Sequence, residues 1–171
     1  MTSPQALFGI SILFSFIGWG IVTAWYVWPY LRGQPLVDAL RPLLLLHSFR
    51  FIGLAFLVPG VVSSALPAAF ARSAALGDLV AAILALLALA TLRTKLGIVV
   101  VWVFNLWGTA DLLYAFYRGN AAGFEPGQLG ATFFIPTFVV PLLLITHGLV
   151  FRLLLQADAN PPDAQRVPGS P

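Results

Sequence analysis

Four ionisable side chains stand inside long apolar stretches of this sequence: His47, Arg50, Asp111 and His147. An ionisable group at bilayer depth costs about 2.5–3.5 kcal/mol on insertion scales, so it persists mainly where it is paired, faces a cavity or takes part in chemistry. Histidine can bind metals and carry protons, and an arginine and a carboxylate can pair across helices. These four residues are therefore the candidates for a functional site.

The two histidines are predicted to lie at matching depth on antiparallel helices. His47 follows Arg41 by roughly 9 Å of helix, and His147 stands just before Arg152 near the end of its own apolar stretch. Two neutral imidazoles at one depth form the ligand set of a b-type haem. We therefore predict metal ligation by His47 and His147 and a haem b cofactor, with Phe51 stacking on it. In the alternative interpretation, each histidine only forms a hydrogen bond between helices.

Arg50 and Asp111 are predicted to form a buried contact. Arg50 lies one turn beyond His47, too deep for its side chain to reach water fully. On a helical wheel Asp111 groups with Asn105 on a small and polar stripe, which should face the other helices. The predicted polar network comprises Arg50, Asn105, Thr109 and Asp111, and the Arg50–Asp111 contact is expected to be direct, through one water, or bridged by Asn105 or Thr109.

Several roles remain open for this network. The ion pair could be purely architectural and lock two helices together. It could also belong to a proton or ion path, or to a quinone site. Finally, Arg50 could anchor a haem propionate, and the cofactor-binding residues would then be His47, Arg50, Phe51 and His147.

Composition indicates that the chain belongs in a membrane. Hydrophobic residues make up 60% of it, charged residues only 9%, and the mean hydropathy is +0.94; a soluble domain carries about 25% charged residues. The basic residues are spread singly, so the net charge of +3 indicates membrane topology and not a nucleic-acid surface. The absence of cysteine excludes disulfides, thiolate metal sites and covalently attached haem.

Five apolar segments predict an all-α bundle of five transmembrane helices. They cover residues 7–31, 42–62, 76–92, 97–117 and 131–155. The first is too long, and too poor in preceding basic residues, for a cleaved signal peptide. We predict one transmembrane domain at residues 1–156 and a short disordered cytoplasmic tail at residues 157–171, where proline is frequent and apolar periodicity ends.

Two of these segments carry further expectations. Segment 76–92 is almost wholly aliphatic, so we expect it to face lipid or a partner subunit. Asp78 stands near its start and is expected to be solvated, as are Asp38 and Glu125. In segment 131–155, Pro136 and Pro141 should kink the helix, because proline donates no backbone hydrogen bond.

The basic residues also predict an orientation. With the N-terminus outside, most of those flanking the segments fall on the cytoplasmic side: Arg32, Arg41, Arg93, Lys95, Arg152 and Arg166. Arg72 and Arg118 would be outside. We predict a multi-pass protein of the cell inner membrane with a cytoplasmic C-terminus.

The function classes can be narrowed but not resolved from the sequence. It has no nucleotide-binding, metalloprotease or serine-hydrolase motif, and its connections are short, which argues against an enzyme. Three classes remain: a haem- or quinone-linked electron-transfer or accessory subunit, a small oligomeric transporter or channel-like protein, and a structural or assembly subunit. The predicted partners are the lipid bilayer and further copies or a larger membrane complex, but no nucleic acid.

Overall fold

The computed structural model describes residues 3–159, which form a helical bundle without β-strands. Five of its helices are long and apolar enough to cross a membrane. We label them α1 to α5 in chain order: α1 at Pro4–Leu31, α2 at Leu36–Leu57, α3 at Ala68–Thr91, α4 at Gly97–Ala122, and α5 with a π-helical turn at Ile135–Val139 followed by an α-helix at Val140–Ala159. A short 3-10 segment, Pro126–Phe133, precedes α5.

The predicted all-helical architecture is confirmed for the described residues, but several predicted boundaries are wrong. Helix α2 begins at Leu36, before the expected start, because Pro42 is tolerated inside it. Helix α3 begins at Ala68 and not near residue 76. The last helix continues to Ala159, beyond the predicted domain end at residue 156. The rest of the predicted tail, residues 160–171, lies outside the described residues.

Helix α3 buries one face inside the bundle, which the expectation that it faces lipid or a partner subunit did not include, and its opposite face is exposed at Leu76, Ile83, Leu86 and Leu87. It packs against both α2 and α4. The buried residues of α3 recur about every three or four positions and are mainly small. Apart from Phe70 they are Ala71, Ala74, Ala75, Gly77, Asp78, Ala81, Ala82, Ala85 and Ala88. Small side chains let helix backbones approach closely. The resulting van der Waals contacts contribute strongly to helix association in lipid. The small residues of α3 therefore let its buried face pack closely against α2 and α4.

Helix α2 changes its geometry halfway along. It is α-helical at Leu36–Ser48 and becomes a 3-10 helix at Phe49–Leu57. A 3-10 helix has three residues per turn, so side chains three positions apart lie on one line. The buried residues of this part are Arg50, Gly53 and Phe56, which follow that spacing. The 3-10 spacing thus puts Arg50, Gly53 and Phe56 together on the inner face of α2.

Helix α1 lies at the edge of the bundle. None of the residues at Pro4–Val22 is buried, and α1 packs mainly against α5. The indole Nε1 of Trp19 donates a hydrogen bond of 3.2 Å to the carbonyl of Phe138, within the π-helical turn of α5. This turn contains Pro136 and ends two residues before Pro141, and proline interrupts regular helix because it donates no backbone hydrogen bond. The predicted irregularity of α5 is therefore present as a π-helical turn, and Trp19 of α1 bonds to one of its carbonyls.

The two ends of the bundle differ. At one end, which we call the loop end, residues 58–67 and 123–134 are joined by backbone hydrogen bonds, from Ser63 to Gln128 (3.0 Å) and from Ala131 to Val61 (2.9 Å). At the other end, which we call the apolar end, side chains of α2, α4 and α5 form a continuous core. Its fully buried members include Leu40, Leu44, Phe104, Val150 and Leu154.

Candidate functional site

The guanidinium of Arg50 lies at the meeting point of four helices. Only 1% of the residue is exposed. Its Nη2 atom lies 2.7 Å from Oδ1 of Asp78 on α3 and 2.7 Å from Oδ2 of Asp111 on α4, and its Nε donates to Asp78 Oδ1 at 2.8 Å. Nη1 donates to the carbonyl of Gly108 at 3.2 Å and lies 3.3 Å from Nε2 of His147 on α5. We call Arg50, Asp78 and Asp111 the charged cluster.

These contacts involve all three nitrogens of the guanidinium. A guanidinium carries five N–H groups and no acceptor. Nε–H is directed to Asp78, the two Nη1 hydrogens to Gly108 and His147, and one Nη2 hydrogen to Asp111, while Nη2 also lies 2.7 Å from Oδ1 of Asp78 in an ion pair. The carboxylates are less fully used, because Asp78 accepts only at Oδ1 and Asp111 only at Oδ2 among the described residues. The free hydrogen-bonding capacity of the cluster is therefore acceptor capacity.

His147 is held in one tautomer by its neighbours. The side-chain amide of Asn105 donates from Nδ2 to the backbone carbonyl of His147 at 3.3 Å, which directs its Oδ1 towards the ring. That oxygen can only accept, so Nδ1 of His147, 2.7 Å away, is the protonated nitrogen. The Nε2 atom then carries the lone pair that faces Arg50. His147 is thus a neutral imidazole that accepts a hydrogen bond from the charged cluster.

His47 lies directly beside His147, and together we call them the histidine pair. The two ring centroids are 4.1 Å apart, and the Phe104 ring packs against both, at 5.1 and 5.2 Å. Nε2 of His47 lies 3.0 Å from Oγ1 of Thr146, whose hydroxyl donates to carbonyls of its own helix. Nδ1 of His47 is buried and has no hydrogen-bond partner among the described residues.

The geometry of the histidine pair does not fit the predicted haem. Bis-histidine ligation requires the iron and its flat macrocycle to lie between the two imidazoles. Rings with centroids 4.1 Å apart are already in contact, which leaves no layer for a macrocycle between them. Nε2 of His147 faces Arg50 instead of an open space.

Phe51 does not contribute to the site, contrary to the sequence-based expectation. It is 52% exposed and faces away from the histidine pair. The expectation assumed a regular α-helix, in which residues 47 and 51 share a face. The 3-10 geometry that begins at Phe49 places Arg50, Gly53 and Phe56 on the inner face instead. The aromatic ring that packs against the histidines is Phe104 of α4.

The predicted polar network is present with different connections. Arg50 and Asp111 contact each other directly, without a bridging side chain. Asn105 is fully buried but is bonded to His147, and Thr109 donates to the carbonyl of Asn105 in its own helix at 2.7 Å. Neither Asn105 nor Thr109 therefore connects the arginine to the aspartate.

Asp78 is the functional residue that sequence reasoning missed. It was expected to be solvated, but it is buried and paired with Arg50. The error followed from beginning α3 near residue 76, whereas Asp78 lies almost three turns inside the helix. The small-residue stripe contained the missing signal. Asp78 is spaced four residues after Ala74 and four before Ala82, in the middle of the face that packs most closely.

Three glycines make room for the site. A β-carbon at Gly53 would overlap the carboxylate of Asp78, and one at Gly77 would overlap that of Asp111. A β-carbon at Gly108 would lie 2.6 Å from Nε2 of His147 and 2.8 Å from Nη1 of Arg50. Helices α2, α3 and α4 therefore each contribute one glycine that allows charged groups to approach their backbones.

A cavity of about 570 Å³ extends from the loop end to the charged cluster. Asp78 and Asp111 both line it, whereas Gln5, Asn120 and Gly123 line its opposite part. Along α4 the distance from Asn120 to Asp111 is about 14 Å. Most of the wall is apolar, and its aromatic members are Phe8, Phe56, Phe70, Phe116 and Phe124. The side chain of Gln5 donates a hydrogen bond to Glu125 and so ties the start of α1 to the loop end.

Comparison with known proteins places the chain in a family without indicating an activity. No curated protein and no solved structure matches it. A family model matches residues 7–155, and this range contains all five long helices almost in full, the charged cluster and the histidine pair. The chain belongs to the family described as Domain of unknown function (DUF8737).

Proposed function

We propose that this chain is a small membrane protein of the transporter class that binds one exchangeable proton at the charged cluster. The observation that carries the proposal is that one guanidinium, that of Arg50, serves the two carboxylates of Asp78 and Asp111. With both carboxylates ionised, the cluster has one negative charge in excess. A buried charge without compensation costs several kcal/mol, so the cluster favours taking up a cation, of which the proton is the smallest.

The histidine pair does not provide this compensation. His147 accepts a hydrogen bond from Arg50 through Nε2 and is therefore neutral. A second N–H on His47 would be at Nδ1, for which the described residues offer no acceptor. The proton is therefore best placed on one of the two carboxylates. Because Asp78 and Asp111 line the cavity, this proton can exchange along it.

Access to the cluster from one side supports the transporter class. The cavity connects the cluster to the loop end, whereas the core that contains Leu44, Phe104 and Val150 fills the apolar end. Alternating access requires a central site that is open to one side and closed to the other in each state. The predicted orientation, with the N-terminus outside, would direct this cavity away from the cytoplasm. We propose the cell inner membrane as the location.

The electron-transfer class is less well supported by the same geometry. A quinone headgroup presents two carbonyl oxygens and needs hydrogen-bond donors. All three guanidinium nitrogens of Arg50 already contact Asp78, Asp111, Gly108 or His147, so the described cluster offers a quinone the single proposed carboxyl proton for its two carbonyl oxygens. The haem interpretation lacks space between the imidazoles.

An architectural function is the second candidate, because one side chain joins four helices. Arg50 stands on α2 and bonds to Asp78 on α3, to Asp111 on α4 and to His147 on α5. In this reading the cluster only holds the bundle together, as a structural or assembly subunit would require. The two candidates differ in whether the cluster carries an exchangeable proton.

Infrared spectroscopy of the purified full chain distinguishes the candidates, because a protonated carboxyl group has a carbonyl stretch that a carboxylate lacks. We expect such a band at neutral pH, with a shift in deuterium oxide. We expect it to disappear both in Asp78→Asn and in Asp111→Asn, because Arg50 balances the one remaining carboxylate in each variant. The exposed Asp38, paired with Arg41 at 3.5 Å, provides the control Asp38→Asn, which should retain the band.

Two other infrared results would contradict the proposal. A wild-type spectrum without an exchangeable protonated carboxyl would leave only the architectural function. A band that persists in both cluster variants would assign the proton to another group. Either outcome refutes proton binding at the charged cluster.

A further inference from the structure

The cavity above the charged cluster has the size and the wall of a small-molecule site. Its volume of about 570 Å³ falls within the usual range for ligand pockets, roughly 300–1,000 Å³. Its wall is mostly apolar and includes five phenylalanine rings, whereas its polar groups are concentrated at the two ends. Such a wall accommodates an apolar body, and the carboxylates provide the point where a polar head would be fixed.

The carboxylates at the base of the cavity determine the chemistry of that head. All three guanidinium nitrogens of Arg50 already contact the protein, so they cannot bind an incoming group without losing a contact. Asp78 Oδ2 and Asp111 Oδ1 accept no hydrogen bond from the described residues. Once the exchangeable proton has left, both carboxylates can only accept, so a head that replaces the proton must donate hydrogen bonds. A carboxylate would bring like charge, and a neutral carbonyl could bond to the proton but could not replace it.

Charge restricts the ligand further. The cluster lacks one positive charge, which is the charge of a single ammonium group. Aromatic faces also attract cations within about 6 Å of the ring centroid. Phe56 and Phe70 line the same cavity as the two carboxylates. Both features favour a cation over a neutral molecule of the same shape.

We propose that the cavity binds a monovalent organic ammonium ion with an apolar body, whose N–H groups bond to Asp78 and Asp111. This inference rests on the proposed function, because the ammonium ion replaces the exchangeable proton at the same cluster. Binding in this way releases one proton from the carboxyl group to solvent while the amine arrives in its charged form. Proton and ammonium ion exclude each other, which is the relation that an antiporter requires.

The test uses 2-phenylethylamine as the probe, with the purified full chain in lipid nanodiscs and isothermal titration calorimetry. We expect the amine to bind and to release about one proton. The number of protons is obtained by repeating the titration in buffers of different ionisation enthalpy, because the observed binding enthalpy then changes in proportion to the protons released. The neutral 2-phenylethanol and the anionic phenylacetate should bind at least tenfold more weakly. Asp111→Asn should weaken the amine at least tenfold and abolish the proton release.

A variant of α1 tests the cavity without disturbing the cluster. Gly9 lines the cavity, and a β-carbon there meets nothing within 4 Å, so Gly9→Leu should fill the cavity and leave the bundle folded. Gly20 of the same helix has equally open surroundings but does not line the cavity, so Gly20→Leu is the matched control. We expect loss of amine binding in the first variant and unchanged binding in the second.

The inference is wrong if the alcohol binds as well as the amine, if Gly9→Leu binds the amine like the wild type, or if the wild type does not bind the amine. These outcomes are separate from the infrared result. If the chain has an exchangeable carboxyl proton but does not bind the amine, the proposed function stands and only the proposed ligand class is wrong. If the chain shows neither the carboxyl proton nor amine binding, both the proposed function and the proposed ligand class are wrong.

Discussion

Oδ1 of Asp78 lies 2.8 Å from Nε and 2.7 Å from Nη2 of Arg50, so one oxygen contacts two of the three guanidinium nitrogens. This contact joins α2 to α3 and places a second carboxylate beside the pair formed by Arg50 and Asp111. A single arginine–aspartate pair would be neutral. The contact with Asp78 turns it into a cluster with excess negative charge, and the proposed functions follow from that excess.

Removal of the arginine should destabilise the bundle strongly. Arg50→Met leaves two buried carboxylates facing each other, and loss of one partner from a buried ion pair costs about 3–5 kcal/mol. We expect a marked decrease in the melting temperature of the detergent-solubilised chain. Arg93→Met, at an exposed position, is the control and should melt like the wild type.

Neutralising the whole cluster should be milder than removing its arginine. In Arg50→Met/Asp78→Asn/Asp111→Asn no charge remains buried, so the penalty of unpaired carboxylates is absent. We expect its melting temperature to lie above that of Arg50→Met alone. If the decrease in melting temperature of the triple variant equalled the sum of the decreases in the three single variants, the three groups would not form one cluster.

The glycine at position 108 should not tolerate even a methyl group. In Gly108→Ala the new β-carbon would lie 2.5 Å from Cε1 of His147, so the ring and Arg50 would have to move. Overpacking of this kind costs about 1–3 kcal/mol. Gly18→Ala introduces the same methyl group in α1, where nothing lies within 4 Å. Thermal melting should separate the two variants, and equal melting temperatures would contradict the close approach of α5 to α4.

The two histidines should occupy opposite tautomers. His147 is protonated at Nδ1 because it faces Oδ1 of Asn105, and His47 is protonated at Nε2 because the hydroxyl of Thr146 donates its own hydrogen to a backbone carbonyl. Nitrogen-15 NMR of the histidine-labelled chain distinguishes the two protonated nitrogens. We expect Asn105→Leu to shift the His147 signals and Thr146→Val to shift those of His47. Two imidazolium signals at neutral pH would disprove the assignment.

The orientation of the chain is open to a direct test. Most basic residues flank the ends of the helices that meet at the apolar end of the bundle, so we expect this end in the cytoplasm. A reporter fused to the C-terminus that is active only in the cytoplasm should be active. Activity of an exclusively external reporter at this position would reverse the orientation and direct the cavity to the cytoplasm.

The sequence alone determined the helical class and the polar residues that matter most. Hydropathy identifies the five helices because a bilayer requires about 20 consecutive apolar residues for each crossing. His47, Arg50, Asp111 and His147 were recognisable because ionisable groups in such stretches are costly. The same energetic cost of burial explains why these residues contact one another, because buried charges and imidazoles stabilise each other.

Only the tertiary structure decided how these groups are connected. The 3-10 geometry of α2 turned Phe51 outward, and a helical wheel cannot represent a change in the number of residues per turn. The packing of α3 against α2 brought Asp78 to Arg50, although the alanine-rich sequence of α3 resembles a lipid-facing helix. Local sequence specifies how apolar a helix is, whereas close packing between helices depends on which small residues meet across an interface. That pairing decided both the charge of the cluster and the cavity above it.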